Sequence, residues 1–130
     1  MEFPEQQFAN VLVLDLSGKI DHDSADAFRD ALIPHVEAQA VGYQMIVLDM
    51  SDVEYMSSVG LRALVLAAKT SKAAARPIVV AGLNETMREI FQISRFDLIF
   101  DVYDDVRAAI SDLSAAALAV YPPAPRGGGD

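Results

Sequence analysis

The apolar positions of this chain alternate between short branched runs and stretches in which they recur every three or four residues. Val11-Leu12-Val13-Leu14-Asp15-Leu16, stopped by Ser17-Gly18, predicts a strand. Residues 1–7 are polar and contain Pro4, so a strand there would be short and at a sheet edge, where a missing N–H is tolerated. Met45-Ile46-Val47-Leu48 predicts a central strand buried on both faces, with Asp49 at its carboxyl end and a polar turn after it. Pro77-Ile78-Val79-Val80-Ala81-Gly82 predicts the next buried strand, and residues 98–102 a final one.

Between these runs the period becomes helical. Ala25, Phe28, Leu32 and Val36 mark one helix, which Pro34 should bend or end early. Leu61, Leu64, Val65 and Ala68 form the stripe of a second, beginning near Ser57 and Ser58. Met87, Ile90 and Phe91 belong to a short helix that Asn84 can cap, and a last helix is expected over residues 104–119. Strands alternating with helices predict an α/β fold: a mostly parallel sheet of four to five strands with about four helices, joined by right-handed crossovers.

Composition narrows the functional classes. The chain's 130 residues suit one domain, taken as residues 1–120, followed by a Pro/Gly-rich tail over 121–130 expected to be disordered. Without cysteine, disulfides, thiol catalysis and thiolate metal sites are excluded. A formal charge of −9, with ten dispersed basic residues, opposes binding to a nucleic-acid backbone. The apolar run 63–68 lies between Arg62 and Lys69 and is far too short to cross a membrane. The first residues, Met1-Glu2-Phe3-Pro4-Glu5, lack the basic-then-apolar pattern of a secretory signal, so a cytoplasmic location without membrane insertion is expected.

The candidate chemistry gathers at the start of the second helix. Ser58 offers a hydroxyl where free amides and the positive end of the helix dipole favour added negative charge. A phosphoryl group there would change the local charge from zero to roughly −1.5 to −2. Ser57 carries the same chemistry one residue earlier, and Gly60, lacking Cβ, permits close approach of another backbone or a partner. Arg62 lies one turn beyond Ser58 and reads as solvent-facing, within possible reach of a phosphate. With no nearby histidine base and no G-x-S-x-G elbow, the serines read as substrates of another enzyme and not as nucleophiles. Asp21-His22-Asp23-Ser24 supplies acids suited to a helix start. Asp49 would suit a receiver-type phosphoacceptor only with further acids for magnesium and a late lysine, and no lysine follows Lys72. Neither Walker A nor G-x-G-x-x-G occurs, so no cofactor is expected.

Two separated segments then carry a resemblance. Leu16-Ser17-Gly18-Lys19-Ile20-Asp21-His22, and the later run Asp49-Met50-Ser51 through Tyr55-Met56-Ser57-Ser58-Val59-Gly60-Leu61, resemble the STAS domain of bacterial anti-sigma factor antagonists over about residues 8–118. The resemblance implies that Ser58 is phosphorylated by a serine-kinase anti-sigma factor of the GHKL-type ATPase fold, and that a PP2C-type phosphatase reverses this. It also implies a partner-binding surface of Asp21, Ser57, Ser58, Val59, Gly60 and Arg62. The family often has aspartate where Ser57 stands, and serine or threonine where Val59 stands, which makes Ser57 a rival acceptor. The implied function is partner switching in signal transduction and transcription regulation, with no enzymatic activity of the chain's own. A phosphorylation-independent docking subunit of a transporter or lipid-trafficking complex is the alternative.

Overall fold

The computed structural model describes residues 2–122. Its middle layer is a five-stranded sheet in the order β1 (Glu5–Phe8), β2 (Val11–Ile20), β3 (Met45–Met56), β4 (Ile78–Ala81), β5 (Val102–Tyr103). β1 is the short edge strand and runs antiparallel to β2, whereas β2 through β5 are parallel. The strands are linked by α1 (Ala25–Val36), α2 (Ser58–Ala74) and α3 (Glu85–Ile93), and α4 (Val106–Leu113) and α5 (Ala115–Val120) follow β5.

Alternation along β2 explains the layering. Leu12, Leu14 and Leu16 enter a larger core with Phe28 and Leu32 of α1, Leu64 and Ala67 of α2, and Met87 and Phe91 of α3. Val11 and Val13 face the other way, joining Val47, Val79 and Ala81 beneath Ala109 and Ile110 of α4 and Ala117 of α5. A sheet covered on both faces accounts for the nearly continuous apolar runs of its inner strands.

Five elements differ from the sequence expectation. β3 does not turn after Leu48 but continues to Met56, so Asp49 lies inside the strand. Over its second half the buried residues are Met50, Val53 and Met56, one in three. β2 extends beside it to Ile20, with register shifts between Asp15 and Ser17 and between Gly18 and Lys19. Those irregularities break the two-residue alternation and give a strand the look of a polar turn.

The strand expected over 98–102 is only Val102–Tyr103, preceded by a 3₁₀ turn, Phe96–Leu98. Phe96 and Phe100, four residues apart, both turn inward onto Phe91, with ring centroids 5.5 and 6.4 Å from it. The expected helix over 104–119 is two helices, broken at Ser114 in extended conformation, whose hydroxyl donates to Asn10 Oδ1 at 2.7 Å. Five helices therefore replace the expected four. Finally, α1 continues through Pro34 to Val36. Pro34 falls in the last turn, and the Arg76 guanidinium holds the carbonyls beyond it, donating to His35 O, Glu37 O (2.6 Å) and Ala40 O (2.5 Å). Tyr121, read as the first tail residue, packs edge-on against Phe8 with ring centroids 4.8 Å apart. The rest of the tail expectation, residues 123–130, lies outside the described residues.

Candidate functional site

The β2–β3 ribbon runs past the end of β4 and delivers two chain segments to one place. The Ser57 N–H donates to Ile20 O at 2.8 Å, so the start of α2 is tied to the residue before Asp21. The two sequence-predicted motifs therefore meet.

Ser57, and not Ser58, is the N-cap of α2. Its backbone is extended (φ −74°, ψ 170°) and its Oγ accepts from the Gly60 N–H at 3.2 Å. Ser58 is the first helical residue, exposed, and its hydroxyl makes no hydrogen bond among the described residues. The division follows from cap geometry: the N-cap oxygen must reach back to the amide three residues on, whereas the side chain at the first helical position points outward. Ser57 is half-buried and engaged; Ser58 is open and unengaged. The first turn of α2 contains no acidic residue, so its free amides have no local carboxylate.

Gly60 is buried, and of the two close approaches expected there the one present is by the chain's own segments. A Cβ there would stand 2.7 Å from Met56 Cγ, 2.9 Å from Ile20 Cγ2 and 3.2 Å from Ile20 O. The missing side chain lets the first turn of α2 settle onto the end of its own ribbon. Val59 is half-buried and Arg62 exposed.

Asp21 is exposed and tightly tied. Its Oδ1 accepts from both the N–H and the hydroxyl of Ser24, each at 3.0 Å, while its own N–H donates to Ser24 Oγ at 3.0 Å. The Ser24 amide, then its hydroxyl, hold the Asp21 carboxyl below the ordinary aspartate range. Ser24 occupies the N-cap position of α1 but bonds to Asp21 and caps no helical amide. Asp52 and Glu54 on β3, with His22 and Asp23 in the β2–α1 turn, are also exposed.

Asp49 does not occupy a receiver-like position. Its Oδ1 accepts from the Ser51 hydroxyl at 2.7 Å and the Ser51 N–H at 3.1 Å, within the strand. Its register partners are Asp15 and Ala81. Asp15 is a group the sequence reading passed over: its Oδ1 is buried and without a hydrogen-bond partner. Burial, then the charges of Asp49 and Asp52, push its carboxyl above the ordinary range. The signal was a lone acid inside the run Val11-Leu12-Val13-Leu14-Asp15-Leu16.

Among the described residues no helix is long and apolar enough to cross a membrane, and no group of three or more His, Asp or Glu could hold a metal ion.

Comparison with known proteins agrees with this architecture. The STAS domain family matches residues 3–109. BtrV of Bordetella bronchiseptica, named as an anti-sigma factor antagonist, is 29% identical over 116 residues, covering 89% of this chain and 97% of that protein. The crystal structure of an anti-sigma factor antagonist from Mycobacterium paratuberculosis superposes with a TM-score of 0.73 at 24% identity, over 85% of this chain and 91% of the other. The phosphorylated form of the Bacillus cell fate determinant SpoIIAA superposes with a TM-score of 0.64 at 19% identity, over 86% and 99%. With its sheet, its ribbon and the serine-led second helix inside the matched span, the chain belongs to the STAS domain family.

Proposed function

We propose that this chain is an anti-sigma factor antagonist that works in the cytoplasm by partner switching, with Ser58 as the modified residue. The observation that carries the reading is the division of labour in the serine pair: Ser57 spends its oxygen on the Gly60 amide, and Ser58 leaves its hydroxyl exposed and unbonded. Unmodified, the surface formed by Asp21, Ser57, Ser58, Val59 and Arg62 docks on a serine-kinase anti-sigma factor, with Gly60 shaping it from below. The kinase then releases its other client.

In the switching step the Ser58 oxygen takes the γ-phosphoryl of the kinase's ATP, ADP leaves, and the hydroxyl proton passes to a base on the kinase. This chain contributes only the acceptor, in keeping with a regulatory and not an enzymatic role. The added charge of roughly −1.5 to −2 joins a surface that already exposes Asp21, Asp52 and Glu54. Repulsion and desolvation at the docked face then weaken binding. About 1–3 kcal/mol of differential affinity is enough for a working switch. A PP2C-type phosphatase resets the site by hydrolysing the phosphoserine.

The test is to incubate the chain with its cognate kinase and ATP and map the modified residue by mass spectrometry. Ser58→Ala should abolish labelling, and Ser58→Glu should bind the kinase more weakly than Ser58→Ala. Normal labelling of Ser58→Ala, on Ser57 or elsewhere, would overturn the assignment. Recovery of transport ATPase components in a pull-down, with no kinase, would favour the phosphorylation-independent docking role.

A further inference from the structure

Beyond the first turn of α2, a groove of about 420 Å³ runs between α1 and α2, lined by Val59, Arg62, Leu66 and Lys69 on one side and Asp26 and Arg29 on the other. It begins beside Ser58 and continues along the outer face of the helix pair. Two of its features define its chemistry. Leu66, a large apolar side chain, is 41% exposed in it. Three cations and one carboxylate line it, in a chain whose net charge is −9.

The cations are not equivalent. Arg29 is engaged within its own helix, 3.4 Å from Asp26 and 3.2 Å from Asp30. Arg62 and Lys69 enter no ion pair among the described residues. They are exposed, seven residues apart on one helix, hence separated by roughly 10 Å along the axis, with Leu66 between them. The α2 rim therefore presents cation, apolar contact, cation along a line of two helical turns.

We infer that this groove seats an acidic amphipathic helix of a partner protein, with carboxylates two turns apart facing Arg62 and Lys69 and an apolar residue between them resting on Leu66 and Val59. Charge complementarity selects this occupant. An anionic bilayer has the right sign for Arg62 and Lys69, but polybasic membrane anchors need four or more clustered cations, and the remaining charge of this chain repels such a surface. The groove extends the Ser58 docking face along α2, so the inference rests on that reading for the partner's identity but not for the recognition chemistry.

The experiment uses the isotopically labelled full chain and two synthetic helical peptides. One carries Glu at two positions seven apart with Leu at the fourth position between them; in the other, both Glu are Lys. Titration followed by amide chemical shifts should move Val59, Arg62, Leu66 and Lys69 with the Glu peptide. Its affinity should exceed that of the Lys peptide at least tenfold at low salt, and the ratio should fall as salt is raised. The double variant Arg62→Glu/Lys69→Glu, with its melting temperature checked, should reverse the preference. Shifts confined to other surfaces, equal affinity for the two peptides, an unchanged preference in the double variant, or binding to phosphatidylserine vesicles in place of peptide would each overturn the inference. No step involves Ser58 phosphorylation, so failure here and failure of partner switching remain distinguishable.

Discussion

Replacing Asp15 with asparagine should stabilise the domain at neutral pH. Asp15 and Asp49 are register partners on adjacent parallel strands, about 4.8 Å apart, with side chains on the same face. Asp49 has its Oδ1 satisfied by Ser51, but Asp15 Oδ1 is buried without a partner. Two unit charges about 5 Å apart at an effective dielectric of about 20 repel by about 3 kcal/mol. Both side chains are partly open to water, which reduces the expected gain to about 1–2 kcal/mol. The pH dependence follows from the raised carboxyl of Asp15, caused first by burial and then by Asp49 and Asp52. A raised folded-state value means that the Asp15 contribution is fully present below its unfolded value of about 3.9 and is lost as pH rises through the folded value. The wild type therefore loses this contribution as pH rises and regains it in acid. Urea unfolding of both proteins between pH 4 and pH 8 should show the Asp15→Asn advantage growing with pH, with unchanged m-values. An advantage of constant size across that range, or a less stable variant at pH 7, would refute the reasoning.

Other substitutions probe the framework around the site. Ser57→Ala should cost about 1 kcal/mol through loss of the cap, whereas Ser58→Ala should change stability by less than about 0.5 kcal/mol, as read by urea denaturation. Equal costs would mean that the two hydroxyls share the capping role. Gly60→Ala places a Cβ 2.7 Å from Met56 Cγ and 2.9 Å from Ile20 Cγ2. Overpacking of about 1–3 kcal/mol should outweigh the gain of up to about 1 kcal/mol in helix propensity, and a more stable variant would show that Met56 and Ile20 yield freely. Arg76→Ala should cost about 3 kcal/mol, since three carbonyls lose a charged donor and Tyr43 loses the guanidinium 4.8 Å above its ring. Arg76→Lys, which keeps the charge but loses the fork, should recover only part of that in thermal unfolding.

Much of the larger core was legible in the sequence because it obeys simple periods. Leu12, Leu14 and Leu16 alternate, Phe28, Leu32 and Val36 repeat at four, and the structure buries all six. Asn84 caps α3 as its residue type suggests, accepting from the Met87 N–H at 2.8 Å. What escaped depends on pairing between distant segments. The shifted register of β2 against β3 spaces buried residues by three, a period that belongs to neither a regular strand nor a helix. Asp15 looks like an ordinary polar interruption until β3 brings Asp49 beside it. Ser114 breaks the last helix because Asn10, 104 residues earlier, accepts its hydroxyl proton.

The serine pair was legible only to within one residue, and that residue decides its chemistry. Cap geometry leaves a single frame: whichever side chain reaches the third amide of the helix becomes bonded and half-buried, and its neighbour is turned outward. Gly60 fixes the frame, because only a residue without Cβ can occupy the close contact with Ile20 and Met56. Its amide then meets Ser57 Oγ. In relatives with aspartate at this position the cap would be retained, since aspartate and serine are both good N-cap residues, but a carboxylate would sit beside the acceptor. Serine at 57 keeps the cap and removes that charge, leaving the first turn of α2 without any acid. A phosphoryl group on Ser58 would then be the first negative charge at this helix end. It would be received by free amides within the fold and opposed only where Asp21, Asp52, Glu54 or a docked partner crowd it, which would separate the stability of the modified domain from its affinity.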